Sequence, residues 1–142
     1  MIRSICVASA MLTIFAIGTA AQARSPAPEG ARVFFVNIAD GDTVSSPFTV
    51  QFGTEGIQIA PANVMLPGSG HHHLYINTPL SPQDIEYSIP SDDRHIHYGA
   101  GQTEAQIWLP AGTHTLQLVM GDGGHVPHDP PIVSEIITIT VE

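Results

Sequence analysis

The chain has 142 residues, 43% of them apolar and 12% charged, and a formal net charge of −9. It contains no lysine and four arginines against thirteen carboxylates, a balance that excludes a nucleic-acid or anionic-lipid surface and favours cations. Thirteen glycines and twelve prolines in so apolar a chain point to a turn-rich folded domain rather than a disordered acidic tail.

Residues 1–23 read as a secretory signal peptide. Arg3 supplies the positive start, Ile5 to Ile17 is largely apolar, and Ala21-Gln22-Ala23 is a small-residue cleavage site. The apolar run is too short to span a bilayer, no cysteine follows it for lipid attachment, and no later stretch is long and apolar enough to cross a membrane. The expectation is a periplasmic or secreted protein that begins at Arg24 and has no membrane anchor after cleavage. Cys6 leaves with the signal, so the exported part has neither a disulfide nor a thiolate ligand. Residues 24–31 read as a linker and residues 32–142 as one domain.

From there the apolar residues alternate with period two, the mark of strands buried on one face. Phe34, Val36 and Ile38 form the first run and Phe48, Val50 and Phe52 the second. A long connection from Glu55 to Gly70 leads to a third strand that begins near His72 and carries Leu74 and Ile76. A weak fourth strand is expected around Ile85 to Ile89, and a polar connection from Ser91 to Gly101 follows. Ala105, Ile107 and Leu109, then Leu116, Leu118 and Met120, then Ile137, Ile139 and Val141 give the last three strands, with a Gly/Pro-rich loop from Gly121 to Pro131 before the final one. About seven short strands with regular turns predict an all-β fold, an immunoglobulin-like Greek-key β-sandwich.

Seven of the eight histidines fall into three groups: His71-His72-His73, His95 with His97, and His125 with His128. With alternating strand directions, the connections carrying these groups share one end of the sandwich, and His114 lies at the other end. His71 and His73 project to one face of a strand, as His95 and His97 would, and each His-x-His pair can give two imidazoles to one metal. His125 and His128 add two more on a loop stiffened by Pro127, Pro130 and Pro131. Asp122 and Asp129 can ligate, or accept hydrogen bonds that orient the imidazoles. The candidate metal ligands are thus His71, His73, His95, His97, His125, His128 and Asp129.

Imidazole and carboxylate without thiolate suit copper or zinc and exclude a blue-copper centre. Against this stand plainer roles. His72 shares the inward parity of Leu74 and Ile76 and reads as a buried, hydrogen-bonded residue. His114 reads as a corner residue bonding backbone, Met120 as core, and Met65 as surface packing rather than a soft ligand.

The motifs Gly70-His71-His72-His73-Leu74, Asp93-Arg94-His95-Ile96-His97-Tyr98-Gly99, Gly101-Gln102-Thr103-Glu104, Leu109 to Leu118, Gly121-Asp122 and His125 to Pro131 together resemble a bacterial exported family known as domain of unknown function 4399. The resemblance spans essentially the whole domain and implies an exported single-domain β protein without an established activity.

Three functions follow as expectations. The first is a periplasmic metal-binding protein for copper or zinc. The second is a metal-dependent enzyme, either a hydrolase with Glu104 as base or a catalyst loosely analogous to copper–zinc superoxide dismutase. The third is a metal-independent interaction module for a periplasmic protein or a glycan, with the histidines as hydrogen-bonding and pH-sensitive contacts. Nucleophilic catalysis has no support: cysteine, a Gly-x-Ser-x-Gly elbow and a phosphate-cradling loop are all missing from residues 24–142.

Overall fold

The alternating runs pair into two β-sheets in a computed structural model that describes residues 23–142. The expected signal peptide lies outside the described residues except for Ala23. The strands are β1 (Arg32–Phe35), β2 (Thr43–Val44), β3 (Phe48–Glu55), β4 (Gln58–Ile59), β5 (Ser69–Ile76), β6 (His95–His97), β7 (Glu104–Ile107), β8 (Gly112–Gly121) and β9 (Ile137–Val141). The smaller sheet has the order β1-β3-β7. The larger has the order β2-β9-β8-β5-β4, with β6 paired to β5. Among the described residues no helix is long and apolar enough to cross a membrane.

Period-two patterning sets the core. On β3, Val50 and Phe52 are buried while Thr49 and Gln51 are exposed. On β9, Ile137, Ile139 and Val141 are buried between exposed threonines. These side chains meet Leu74, Ile76, Leu116, Leu118, Met120, Val33 and Ile107 in one apolar cluster between the sheets. The all-β sandwich expected from the sequence is therefore present.

Three details differ from the expectation. The first run is out of phase, because β1 ends at Phe35, Val33 supplies its core side chain and Val36 is exposed. Residues 85–89 form no strand: they continue a run of turns whose Leu80 and Ile89 pack on the larger sheet. The segment 95–97, expected inside a polar connection, is a strand instead. Asp92 makes this possible by accepting from the backbone N–H groups of Arg94 (2.8 Å) and His95 (3.0 Å), which turns the chain into β6.

β5 decides where the histidines go. Its inner face carries Leu74 and Ile76, and His72 shares their parity; its outer face carries His71, His73 and Tyr75. All eight of its residues are buried. A second, smaller apolar cluster covers part of the outer face, where Tyr75 and Val119 meet Ile89 and Leu80. The hydrogen bond from Ile89 N–H to the His125 carbonyl (2.7 Å) ties this cover to the turn after β8.

Candidate metal centre

Four imidazoles meet on the outer face of the larger sheet. Ladder register places three of them: His73 of β5 stands opposite His97 of β6, and His71 lies two residues along the same face. The fourth, His125, comes from the turn after β8. Ring centroids lie 4.8 Å apart for His71–His73, 5.0 Å for His71–His97, 5.0 Å for His71–His125, 5.0 Å for His73–His97 and 4.8 Å for His97–His125. His71, His97 and His125 each offer a ligand atom, and these atoms all lie within 4.8 Å of one another. Drawn in slightly around one ion, they reach the spacing that metal–nitrogen bonds near 2 Å require.

His73 stands behind this trio, its Nε2 3.0 Å from His71 Nε2. That contact uses one nitrogen of each ring. The Nδ1 atoms of His71 and His73, and Nε2 of His97, are buried without any hydrogen-bond partner. No choice of tautomer gives the His71–His73 pair enough partners, because each Nδ1 is left either bare or carrying an unshared proton. Buried polar atoms without partners are costly, and of the five among the described residues three sit on these touching rings, the others being His72 Nε2 and Tyr98 Oη.

The electrostatics favour neutral rings, the form that ligates metal. Burial, and then the neighbouring His97 and His125, push His71 down to about 4. Burial, and then His71, His97 and His125, push His73 down to about 2. Burial, then His125, lowers His97 as well. The site also needs empty space, which two glycines provide. A Cβ on Gly99 would overlap Cε1 and Nε2 of His97, and one on Gly121 would lie 2.8 Å from His73 Nε2.

The remaining candidates lie elsewhere. His95 stands opposite Tyr75, edge-on to its ring at 4.6 Å, with Nδ1 2.8 Å from Asp92 Oδ1. His128 is fully buried, but its two ring nitrogens face the backbone carbonyls of Ser69 (3.1 Å) and Met120 (3.4 Å). The Asp129 carboxylate is exposed and pairs with Arg24 at 3.2 Å. The rings gather on a sheet face rather than at a loop end because β6 is a strand, so register does the work expected of connections. His72 is buried against Phe52, with Nδ1 3.1 Å from the Gln102 carbonyl. His114 contacts Asn77 Nδ2 at 3.0 Å and the Pro110 carbonyl at 2.9 Å across its corner.

The only signal that Gly99 and Gly121 carry in the sequence is their closeness to His97 and His125. Of the two roles expected for Asp122, ligand or hydrogen-bond acceptor, its contacts are those of an acceptor. Oδ1 accepts from Gly124 N–H (2.8 Å) and Val126 N–H (3.0 Å), and Oδ2 accepts from the Ser25 hydroxyl (2.6 Å). Burial raises this carboxyl, but those hydrogen bonds outweigh it and hold the group below the usual aspartate range.

Comparison with known proteins adds a family and no activity. Residues 50–142 match the family described as "Domain of unknown function (DUF4399)". No curated protein matches the chain.

Proposed function

We propose, from the premise that the chain belongs to the DUF4399 family, that it is an exported protein that binds one copper or zinc ion through His71, His97 and His125. The observation that carries this reading is the set of buried, partnerless nitrogens on His71, His73 and His97, whose rings surround the reach of His125. Three imidazoles without a thiolate suit borderline divalent ions, with copper held more tightly than zinc. Three protein ligands leave a further coordination position for water or a donor from outside. The acidic balance of the chain draws cations towards it. The signal peptide read in residues 1–23 supports export to the periplasm or beyond.

The test is calorimetric titration of untagged protein spanning residues 24–142 with Cu²⁺ and Zn²⁺. The expected result is one ion per chain, with affinity reduced about 100-fold or more (roughly 3 kcal/mol) in each of His71→Ala, His97→Ala and His125→Ala. Binding by the parent no tighter than by the triple variant would overturn the reading.

A further inference from the structure

We propose that Asp122, clamped by the segment Arg24–Ala27, is the positioning residue that presents His125 to the metal, so that this N-terminal strap controls completion of the ligand set. The inference rests on the metal-binding reading above and deepens it. His71 and His97 are fixed by ladder register, whereas His125 has no ladder partner and sits in a turn between Gly121 and Pro127. Its backbone is left-handed, with φ +65°, a conformation that side-chain-bearing residues adopt only when the surroundings impose it.

Asp122 is what imposes it. Its N–H donates to the Val126 carbonyl (2.9 Å), its carbonyl accepts from His125 N–H (2.9 Å), and its carboxylate accepts from Gly124 and Val126 inside the same turn. The remaining carboxylate oxygen is held from outside the turn by the Ser25 hydroxyl. The strap then runs beside the outgoing limb. Asp129 N–H donates to the Ser25 carbonyl (2.9 Å) and Ala27 N–H donates to the Asp129 carbonyl (2.8 Å). The Arg24 guanidinium donates to the carbonyls of Pro127 (3.1 Å for that bond) and His128. One turn is thus pinned at both limbs by residues about a hundred positions away in sequence. Asp122, the carboxylate closest in sequence to His125, is not one of the three clustered donors; its charge also faces His71, so the Arg24 and Ser25 contacts, which leave that charge in place, isolate its part in presenting His125.

The experiment uses Cu²⁺ as probe on protein spanning residues 24–142. Calorimetry gives affinity, and electron paramagnetic resonance with nitrogen hyperfine analysis counts bound imidazoles. Asp122→Asn and the double variant Arg24→Ala/Ser25→Ala are expected to bind about 10- to 100-fold more weakly, with one imidazole fewer, as for loss of groups that orient ligands. Ser25→Thr, which keeps the hydroxyl, should restore the parent spectrum. In a His125→Ala background the Arg24→Ala/Ser25→Ala pair should cost nothing further. Parent affinity and imidazole count in both variants would overturn the inference and leave the metal reading standing. So would equal losses in the His125→Ala background, which would mark a general structural effect. A parent that fails to bind Cu²⁺ through three imidazoles overturns the metal reading first, and this inference with it.

Discussion

The site depends as much on two missing side chains as on the histidines. Gly99 lies against the half-buried His97, and a methyl there would occupy the volume of the imidazole. Because the far end of His97 can swing outward, Gly99→Ala should cost little stability, under about 1 kcal/mol, while moving a ligand out of place. The expected outcome is a nearly unchanged thermal midpoint with Cu²⁺ affinity reduced about tenfold or more; parent affinity would show that His97 is not a ligand. Gly121→Ala should behave differently. Its methyl would meet His73 Nε2 at 2.8 Å and Ile89 Cδ1 at 3.3 Å, and His73 is enclosed, so the clash has no cheap exit. A loss of about 1–3 kcal/mol in denaturant unfolding is expected. Neither glycine's role was legible beforehand. Sequence spacing places residues on a strand face but does not say which ring will lie over which Cα.

At the scale of strands, β5 was legible in parity and illegible in surroundings. The i, i+2 pattern put His71 and His73 on one face and His72 with Leu74 and Ile76 on the other, as found. What the pattern could not convey is that the outer face is covered too, because the cover comes from a turn run, residues 80–89, without periodicity of its own. The three-residue β6 was equally hidden. Its strand character comes from pairing with β5 and from the Asp92 turn, and both are tertiary facts. His114 supplies the control for this scale. It ties β8 to the Pro110 corner and to the side chain of Asn77, whose Oδ1 accepts from Thr115 N–H at 2.9 Å. His114→Ala should cost about 1–3 kcal/mol in chemical denaturation, the scale of a buried polar partner left unsatisfied. Metal affinity should be unaltered, because this corner is remote from the trio on the ladder. A loss of metal binding there would mean that the affinity of the parent does not come from the outer-face site.

For the molecule as a whole, three buried histidines make folding and acidity antagonists. In the folded chain His71 and His72 are pushed down to about 4 and His73 to about 2, in each case chiefly by burial. In the unfolded chain each titrates near the ordinary value of about 6.5. Above that value both states hold the rings neutral and stability does not depend on them. Below it the unfolded chain binds the extra protons, so stability falls as pH falls, by roughly 1 kcal/mol per pH unit for each ring, until the folded values are reached. Asp122, lowered in the folded state, adds a further loss only once the pH drops below the ordinary aspartate range. Against a typical total of about 5–15 kcal/mol, the metal-free protein should lose much of its stability between about pH 6.5 and 4. Guanidinium unfolding of metal-free protein at pH 8, 7, 6 and 5 checks this, and a flat or rising profile below pH 6.5 would contradict the burial of neutral rings. Bound Zn²⁺ should raise the unfolding midpoint at pH 7.5 by mass action. That gain should persist at pH 5 and shrink only towards pH 4, because burial keeps His71 in the neutral, ligating form down to about 4 and lowers His97 as well. The metal site and the low-pH liability meet in His71, whose ring the fold buries without enough partners: it is costly to protonate and it is one of the three donors offered to an ion.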